Sequence, residues 1–384
     1  MHSSPIQTVI ITLPVLLLGG TEIQTLSLVK VLLSNSYKVT VCCYYEFDLN
    51  MVRQFEATGA DVLLMKYERA TGLWHLAKGL IPLFKERKPD IVHVQYLAPG
   101  LIPILAARLA CVPVILATVH IAGSIVYGKK AKMLLRIAAL FCTRFICVSR
   151  GVEEFWFGSS QIFDPANVNK RRKHYTVYNA IDTTAIAQAV IASDKTKIKR
   201  DMNIQGRPVI GIVGRLAEQK GHSILLDAMT QIVKEIPDVM LIVIGDGPEK
   251  QKLIEKTTSL QLDKNIFWLG AWQQNKVFEL YAIMDIFVMP SLYEGFGLTA
   301  AEAMAACIPV VGTKVEGLSE VIDDGVSGVL VPAGDSDALS ETILKFLKNP
   351  EKAKTYGKNG RMRADRLFSL ENFSKSMQGI YQSI

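Results

Sequence analysis

What most constrains this chain is an alternation that runs its whole length: short unbroken apolar runs, each followed by a longer stretch with helical spacing. Strand candidates are 6–13, 38–45 (KVTVCCYY), 61–65, 90–95 (DIVHVQ), 113–119 (PVILATV), 144–148 and 174–178, then 208–213 (PVIGIV), 239–244 (VMLIVI), 265–269, 285–289 (DIFVM), 308–312 and 328–331. A strand that is apolar on both alternating faces is buried on both, which implies a parallel sheet with helices on each side. The alternation fills both halves of a 384-residue chain, and about 150 residues is an ordinary domain. The expected fold class is therefore α/β, two doubly wound Rossmann-like domains facing a central cleft. The first is expected over residues 1–190 and the second over 191–365, with a last helix over 366–384 packing back on the first. The polar stretch between Asp182 and Arg207 carries the crossing, and 158–173 reads as an exposed loop within the first domain. Ligands in this architecture sit at the carboxyl ends of strands, so the cleft is the expected site.

With 49% hydrophobic and 21% charged residues, each half has material for a core, which excludes disorder. Mean hydropathy is high at +0.24, yet no window reaches 18 uncharged apolar residues, so no membrane-crossing helix is expected. The run Val9–Leu18 contains Pro14 and precedes the first basic residue, Lys30, so it reads as a buried strand and loop rather than a signal peptide. The six cysteines (Cys42, Cys43, Cys111, Cys142, Cys147, Cys307) show no C-x-x-C spacing and suit reduced thiols in a cytoplasmic protein. Residues 1–190 hold 20 Lys+Arg against 12 Asp+Glu, while the remainder holds 23 against 24. The basic excess of the first half points to an anionic partner there.

The strongest motif is PSLYEGFGLTAAEAMA, Pro290 to Ala305. A strand ends, a Gly-rich turn follows and a helix begins near Leu298, so the amides of Phe296, Gly297 and Leu298 are expected to meet an anion. Glu294 precedes the turn, and Glu302 stands four residues into the helix, about 6 Å above the anion site. An acid so placed suits a neutral diol such as a ribose, and Glu294 suits hydroxyls on the other side of the phosphate. The second motif is GIVGRLAEQKGH, Gly211 to His222. Gly214 allows a tight turn after the strand, and Arg215 and Lys220 are spaced to converge on phosphate. The stretch also fits G-x-G-x-x-A at Gly295, Gly297 and Ala300, but this strand comes late in its domain, which disfavours a dinucleotide enzyme.

With those residues in place the chain resembles the retaining GT-B glycosyltransferases of glycosyltransferase family 4, the nucleotide-sugar-dependent E-x7-E group. The resemblance rests on Gly19–Gly20 with Thr21–Glu22, Thr118-x-His120, Val148–Arg150, NAID at 179–182, GRL-x3-KG at 214–221, IGDGP at 244–248, FWLG at 267–270 and Glu294-x7-Glu302. Departures are Ala180 within NAID and Ala122 two residues after His120. The resemblance implies an N-terminal acceptor-binding domain and a C-terminal nucleotide-sugar-binding domain. It implies that Arg215 and Lys220 neutralise the donor diphosphate, that the Phe296, Gly297 and Leu298 amides bind its distal phosphate, and that Glu302 takes the ribose hydroxyls. Glu294 is implied to orient the transferred sugar, Trp268 and Leu269 to line the base, Gly19 and Gly20 to let a loop approach the donor phosphate, and His120 to contact the donor sugar.

The function so implied is a hexosyltransferase moving a sugar from a nucleoside-diphosphate sugar to a glycan or lipid-linked acceptor in cell-surface polysaccharide or glycolipid synthesis. Fixed cations and helix-start amides would stabilise the charge that grows on the leaving diphosphate. Neither a cofactor nor a metal is expected: Asp335-x-Asp337 reads as a helix cap rather than a metal motif. No nucleic-acid partner is expected. The rival functions are a nucleotide-sugar epimerase on the same fold and an inactive glycosyltransferase-like partner subunit. Finally, a helix from about Lys129 would set Lys129, Lys132 and Arg136 beside Met133, Ile137, Leu140 and Phe141, an interfacial pattern facing an anionic membrane. A second such candidate is 73–88, with Lys78, Lys85, Arg87 and Lys88 near Trp74, Leu80, Ile81 and Phe84. The expected location is cytoplasmic and peripheral on the inner membrane face.

Overall fold

A computed structural model describes residues 7–95, 100–121, 128–169 and 171–384. The chain divides into two compact units, one of residues up to Ala180 with Leu370–Ile384, the other Ile181–Ser369. In the first unit the strands are β1 (Thr8–Leu13), β2 (Lys38–Cys43), β3 (Asp61–Leu64), β4 (Ile91–Gln95), β5 (Val114–Val119), β6 (Arg144–Cys147) and β7 (His174–Thr176). They form a parallel sheet in the order 3-2-1-4-5-6-7. In the second unit, β8 (Val209–Val213), β9 (Met240–Ile244), β10 (Ile266–Gly270), β11 (Ile286–Met289), β12 (Val310–Thr313) and β13 (Val329–Val331) form a parallel sheet in the order 10-9-8-11-12-13. Every strand segment expected from the apolar runs is present. The inner strands are buried along their whole length, as β4, β9 and β11 show, because helices cover both faces.

The boundary differs from the expectation at 190. Gln24 fixes the last residue of the first unit by bonding both backbone groups of Ala180, donating to its carbonyl at 2.5 Å and accepting from its N–H at 2.8 Å. Asp182 then caps the helix Thr183–Ala192 through the Ala185 amide, and that helix packs on the second unit's helices Gln274–Tyr281 and Leu298–Ala305. The returning segment enters the first unit at Leu370, not 366, and its helix Leu370–Gln382 lies against the helix Gly20–Ser34. Sequence composition alone marked the polar stretch but not the two side chains that fix the junction.

In both sheets the strand order reverses beside the first strand of the unit, between β1 and β4 and between β8 and β11. At such a reversal the loops leaving two neighbouring strands diverge and open a crevice for ligand. In the second unit, those two loops are the two strongest motifs of the sequence.

Candidate active site

β8 ends at Val213, and Gly214, Arg215 and Leu216 follow its carboxyl end. Leu216 is buried, while Arg215 is exposed and makes no ion pair among the described residues. The loop is held down by the exit of β9, with Gly214 N–H donating to Ile244 O at 2.9 Å and Leu216 N–H to Asp246 O at 3.0 Å. A single turn, Glu218–Lys220, then leads through Gly221 into the helix His222–Glu235. Gly221 has φ +69°, and a Cβ there would fall on the Pro290 carbonyl, so glycine alone permits this approach to the loop after β11. Leu292 N–H donating to Gln219 O at 2.8 Å fastens the same two loops.

That approach brings Lys220 and Glu294 together. Lys220 Nζ lies 2.5 Å from Glu294 Oε2, and the side chains are 19% and 14% exposed. Sequence reasoning singled out both residues but placed them on separate tasks and did not anticipate their direct pairing. The turn after Glu294 is pressed by Gly317, whose N–H donates to Glu294 O at 3.1 Å. Phe296 is buried with its ring edge-on to Phe368 at 5.2 Å, Gly297 adopts φ +104°, and the helix Leu298–Ala305 begins directly after it. The left-handed Gly297 turns the chain sharply into the helix, whose first-turn amides have no acceptor within the helix itself.

Glu302 is 7% exposed. Tyr281 Oη donates to its Oε2 at 2.9 Å and Gln274 Nε2 to its Oε1 at 3.1 Å. Burial pushes its carboxyl up to about 7, against the pull of those two hydrogen bonds. Neither Tyr281 nor Gln274 was found from sequence; both lie outside the motifs, and only the packing of their helix reveals them. His222 is buried with both ring nitrogens unpartnered among the described residues, and burial together with the Lys220 charge lowers it to about 4. Trp268 packs on the core of the second unit, and the Leu269 carbonyl accepts from the indole N–H of Trp272 at 2.9 Å. Asp335 accepts from Ala338 N–H at 2.9 Å, capping Ser336–Lys348, and Asp337 accepts from Gln231 Nε2 at 2.5 Å, so both acids of the D-x-D have structural partners.

In the first unit, Gly19 precedes the helix Gly20–Ser34, and the space beside it is filled by the buried carboxylate of Glu22. His120 follows β5, its Nε2 2.9 Å from Gln95 Oε1, and burial lowers it to about 3. The helix Lys129–Leu140 exposes Met133, Leu134, Ile137 and Leu140, with Phe141 just beyond its end. Of its cations, Arg136 is engaged by the Trp156 carbonyl at 2.7 Å and Lys132 lies over the Phe155 ring at 4.8 Å, so the basic stripe is partly spent on the unit's own surface. The second interfacial candidate loses its apolar face, because Leu80 and Phe84 of the helix Gly72–Arg87 are buried and Leu73 and Trp74 remain exposed. Residues 122–127, which include Ala122, lie outside the described residues. Among the described residues no helix is long and apolar enough to cross a membrane.

Comparison with known proteins places these features in a family. Residues 18–184 match the family model "Glycosyltransferase Family 4" and residues 194–363 match "Glycosyl transferases group 1". The chain is 30% identical over 278 residues, 69% of its length, to the UDP-Gal:alpha-D-GlcNAc-diphosphoundecaprenol alpha-1,3-galactosyltransferase of Escherichia coli, covering 68% of that protein. The chain belongs to the family 4 type of GT-B glycosyltransferases. It is also 30% identical over 254 residues, 62% of its length, to the alpha-maltose-1-phosphate synthase of Mycolicibacterium smegmatis, and the match spans 62% of that relative's length. The fold of this family member matches that of Anabaena HepE, solved in complex with UDP-glucose, with a TM-score of 0.82 at 20% identity, over 98% of this chain and 100% of the other.

Proposed function

We propose that this family 4 chain is a retaining glycosyltransferase that moves a hexose from a nucleoside-diphosphate sugar to a glycan or lipid-linked acceptor in cell-surface polysaccharide or glycolipid synthesis. The observation that carries the reading is the pairing of Lys220 with Glu294, between the loop after β8 that carries Arg215 and the Leu298–Ala305 helix start after β11, where the strand order reverses in the second unit. Cleavage of the sugar–phosphate bond leaves an electron-poor anomeric carbon and adds negative charge to the diphosphate. Lys220, held by Glu294, and the exposed Arg215 are the cations for that charge, and the amides at Phe296, Gly297 and Leu298 supply the dipoles of the helix start. Glu294, held beside Lys220, receives hydroxyls of the sugar next to the phosphate, and Glu302 receives the ribose diol. The E. coli relative, named for a UDP-galactose donor and a diphosphoundecaprenol-linked acceptor, supports a nucleotide sugar and a lipid-linked acceptor here.

Part of the same reading is that the exposed apolar residues of Lys129–Leu140, flanked by the exposed Lys129 and Lys130, rest on an anionic membrane surface. The residues present supply the positive charge that the leaving group needs, so activity is expected to persist in excess chelator. The deciding experiment is a panel of UDP-, GDP- and ADP-sugars screened for protection against thermal unfolding, since donor binding raises the apparent Tm. Product analysis with the protecting donor follows. Release of nucleoside diphosphate with an α-linked product from an α-linked donor is expected. A new nucleotide sugar formed without acceptor, or an inverted product, overturns the reading.

A further inference from the structure

The two donors that hold the Glu302 carboxylate differ in how firmly they are themselves held. Tyr281 is 1% exposed, with its ring edge-on to Phe287 at 6.0 Å and stacked on Phe278 at 6.4 Å. Gln274 opens the same helix, is only partly buried, and reaches Glu302 through a flexible side chain. A ligand hydroxyl that needs a carboxylate oxygen can displace the second donor but not the first. We propose that Tyr281 is a positioning residue of the nucleotide-sugar site: its hydroxyl locks Glu302 Oε2 and leaves Oε1, covered by Gln274 when no ligand is present, to receive the ligand's diol. The inference rests on the donor-site reading above and extends it to a residue outside the sequence motifs.

The surroundings of Glu302 make the Tyr281 hydrogen bond consequential. The helix Thr183–Ala192, packed on both the Gln274–Tyr281 and Leu298–Ala305 helices, carries no ionisable side chain, and neither do β11 and β12. On the helix Gln274–Tyr281 itself, Lys276 and Glu279 pair with each other at 2.8 Å on the exposed side. Arg361 of the helix Pro350–Leu367 reaches the opposite end of the Glu302 helix, donating to Ala305 O at 2.7 Å. Glu316 and Glu320 stand on the helix Glu316–Val321 that packs beside it. Among the described residues no cation sets the protonation of Glu302; burial raises it, and the Tyr281 bond is the larger of the two opposing pulls. A diol donates two hydrogen bonds to a carboxylate but only competes with the proton of a carboxylic acid, so ligand affinity follows the ionised fraction.

The test measures donor affinity by calorimetry between pH 6 and 9 for UDP-glucose, GDP-mannose and ADP-glucose, whose diphosphate diesters do not titrate in that range. For the wild-type protein one donor is expected to bind, weakening about tenfold from pH 8 to pH 6 around a midpoint near 7. Tyr281→Phe is expected to move that midpoint up by about one unit while keeping affinity at pH 9 within about threefold. Glu302→Gln abolishes the pH dependence, and Gln274→Ala stays within about threefold of wild type at pH 8 because the ligand takes its place. If Tyr281→Phe weakens binding equally at every pH with the midpoint unmoved, its role is only structural and the proposal fails. If the wild type binds a donor with no pH dependence, the proposal fails while the donor site stands; if it binds none of the three, the donor site itself fails. Should Tyr281→Phe not fold, the Glu302 side-chain titration followed by carbon NMR in the wild type decides: donor binding must lower its midpoint by at least about one unit, and an unmoved midpoint overturns the proposal.

Discussion

Replacing Lys220 with Met removes the ammonium that lies 2.5 Å from Glu294 and leaves that carboxylate, 14% exposed, without its partner. A unit charge about 4 Å from a phosphate oxygen interacts by roughly 4 kcal/mol at the effective dielectric of about 20 that suits such a site. Only the charge that develops between ground and transition state affects turnover. If about half of the new negative charge on the leaving diphosphate has formed at that point, Lys220 contributes about 2 kcal/mol, close to thirtyfold in rate. The assay is initial-rate glycosyl transfer at saturating donor, with thermal melts to confirm the fold. Glu294→Gln is expected to lower turnover by at least about tenfold through loss of the sugar-hydroxyl contact. The double variant separates chemistry from architecture. If the pair were only a staple between the loops after β8 and β11, removing both charges would relieve the unpaired survivor and restore most of the rate. A double variant within about threefold of wild type would therefore refute the catalytic assignment.

Gly221→Ala forces a left-handed residue to carry a Cβ into the Pro290 carbonyl, which should cost at least about 2 kcal/mol and lower the Tm of the chain by about 5 °C or more; an unchanged melt would show that the two loops part without penalty. Lys129 and Lys130 changed together to Ser should reduce co-sedimentation with anionic liposomes, and added salt should do the same to the wild type. Equal recovery in the supernatant with anionic and neutral vesicles would end the membrane reading. His93, buried between Tyr381 Oη and Thr118 Oγ1 at 2.7 Å each, is lowered to about 3 by burial first and the neighbouring His120 second. Because the unfolded chain binds that proton near pH 6.5 and the folded chain does not, stability falls as pH drops below about 6.5, on the order of 2 kcal/mol by pH 5 for this residue. His93→Gln should shrink the difference in Tm between pH 7 and pH 5, and a difference as large as in the wild type would remove His93 as its source.

The fold was legible in the sequence because its strands are buried on both faces. An uninterrupted run such as VMLIVI over 239–244 has few other places to go, and β9 forms there, Met240–Ile244. The helix start at Leu298 was legible for a similar reason: Gly297 and the run after it carry a local backbone signal that requires no knowledge of the partner surface. Glu294, Glu302, Arg215 and Lys220 stood out because acids and cations beside a Gly-rich strand–helix turn answer to a ligand more readily than to packing.

What lay beyond the sequence depends on contacts between residues far apart along the chain. The expected boundary at 190 missed Gln24 and Ala180, which are 156 positions apart. The interfacial stripe over 73–88 looked amphipathic, but spacing cannot tell a membrane face from a core face; the helix packs against the helix Leu101–Leu109, and Leu80 and Phe84 are buried. The charges of Lys220 and Glu294 were written in the sequence, whereas their 2.5 Å pairing follows from the side-chain-free surface of Gly221 meeting Pro290. Likewise the sequence set an acid at Glu302, but burial between packed helices raises its carboxyl, against hydrogen bonds from Gln274 and from a tyrosine 21 positions away. Residue type determines which chemistry is available at each position. Its strength depends on dielectric surroundings and hydrogen-bond partners, which exist only once the tertiary structure has formed.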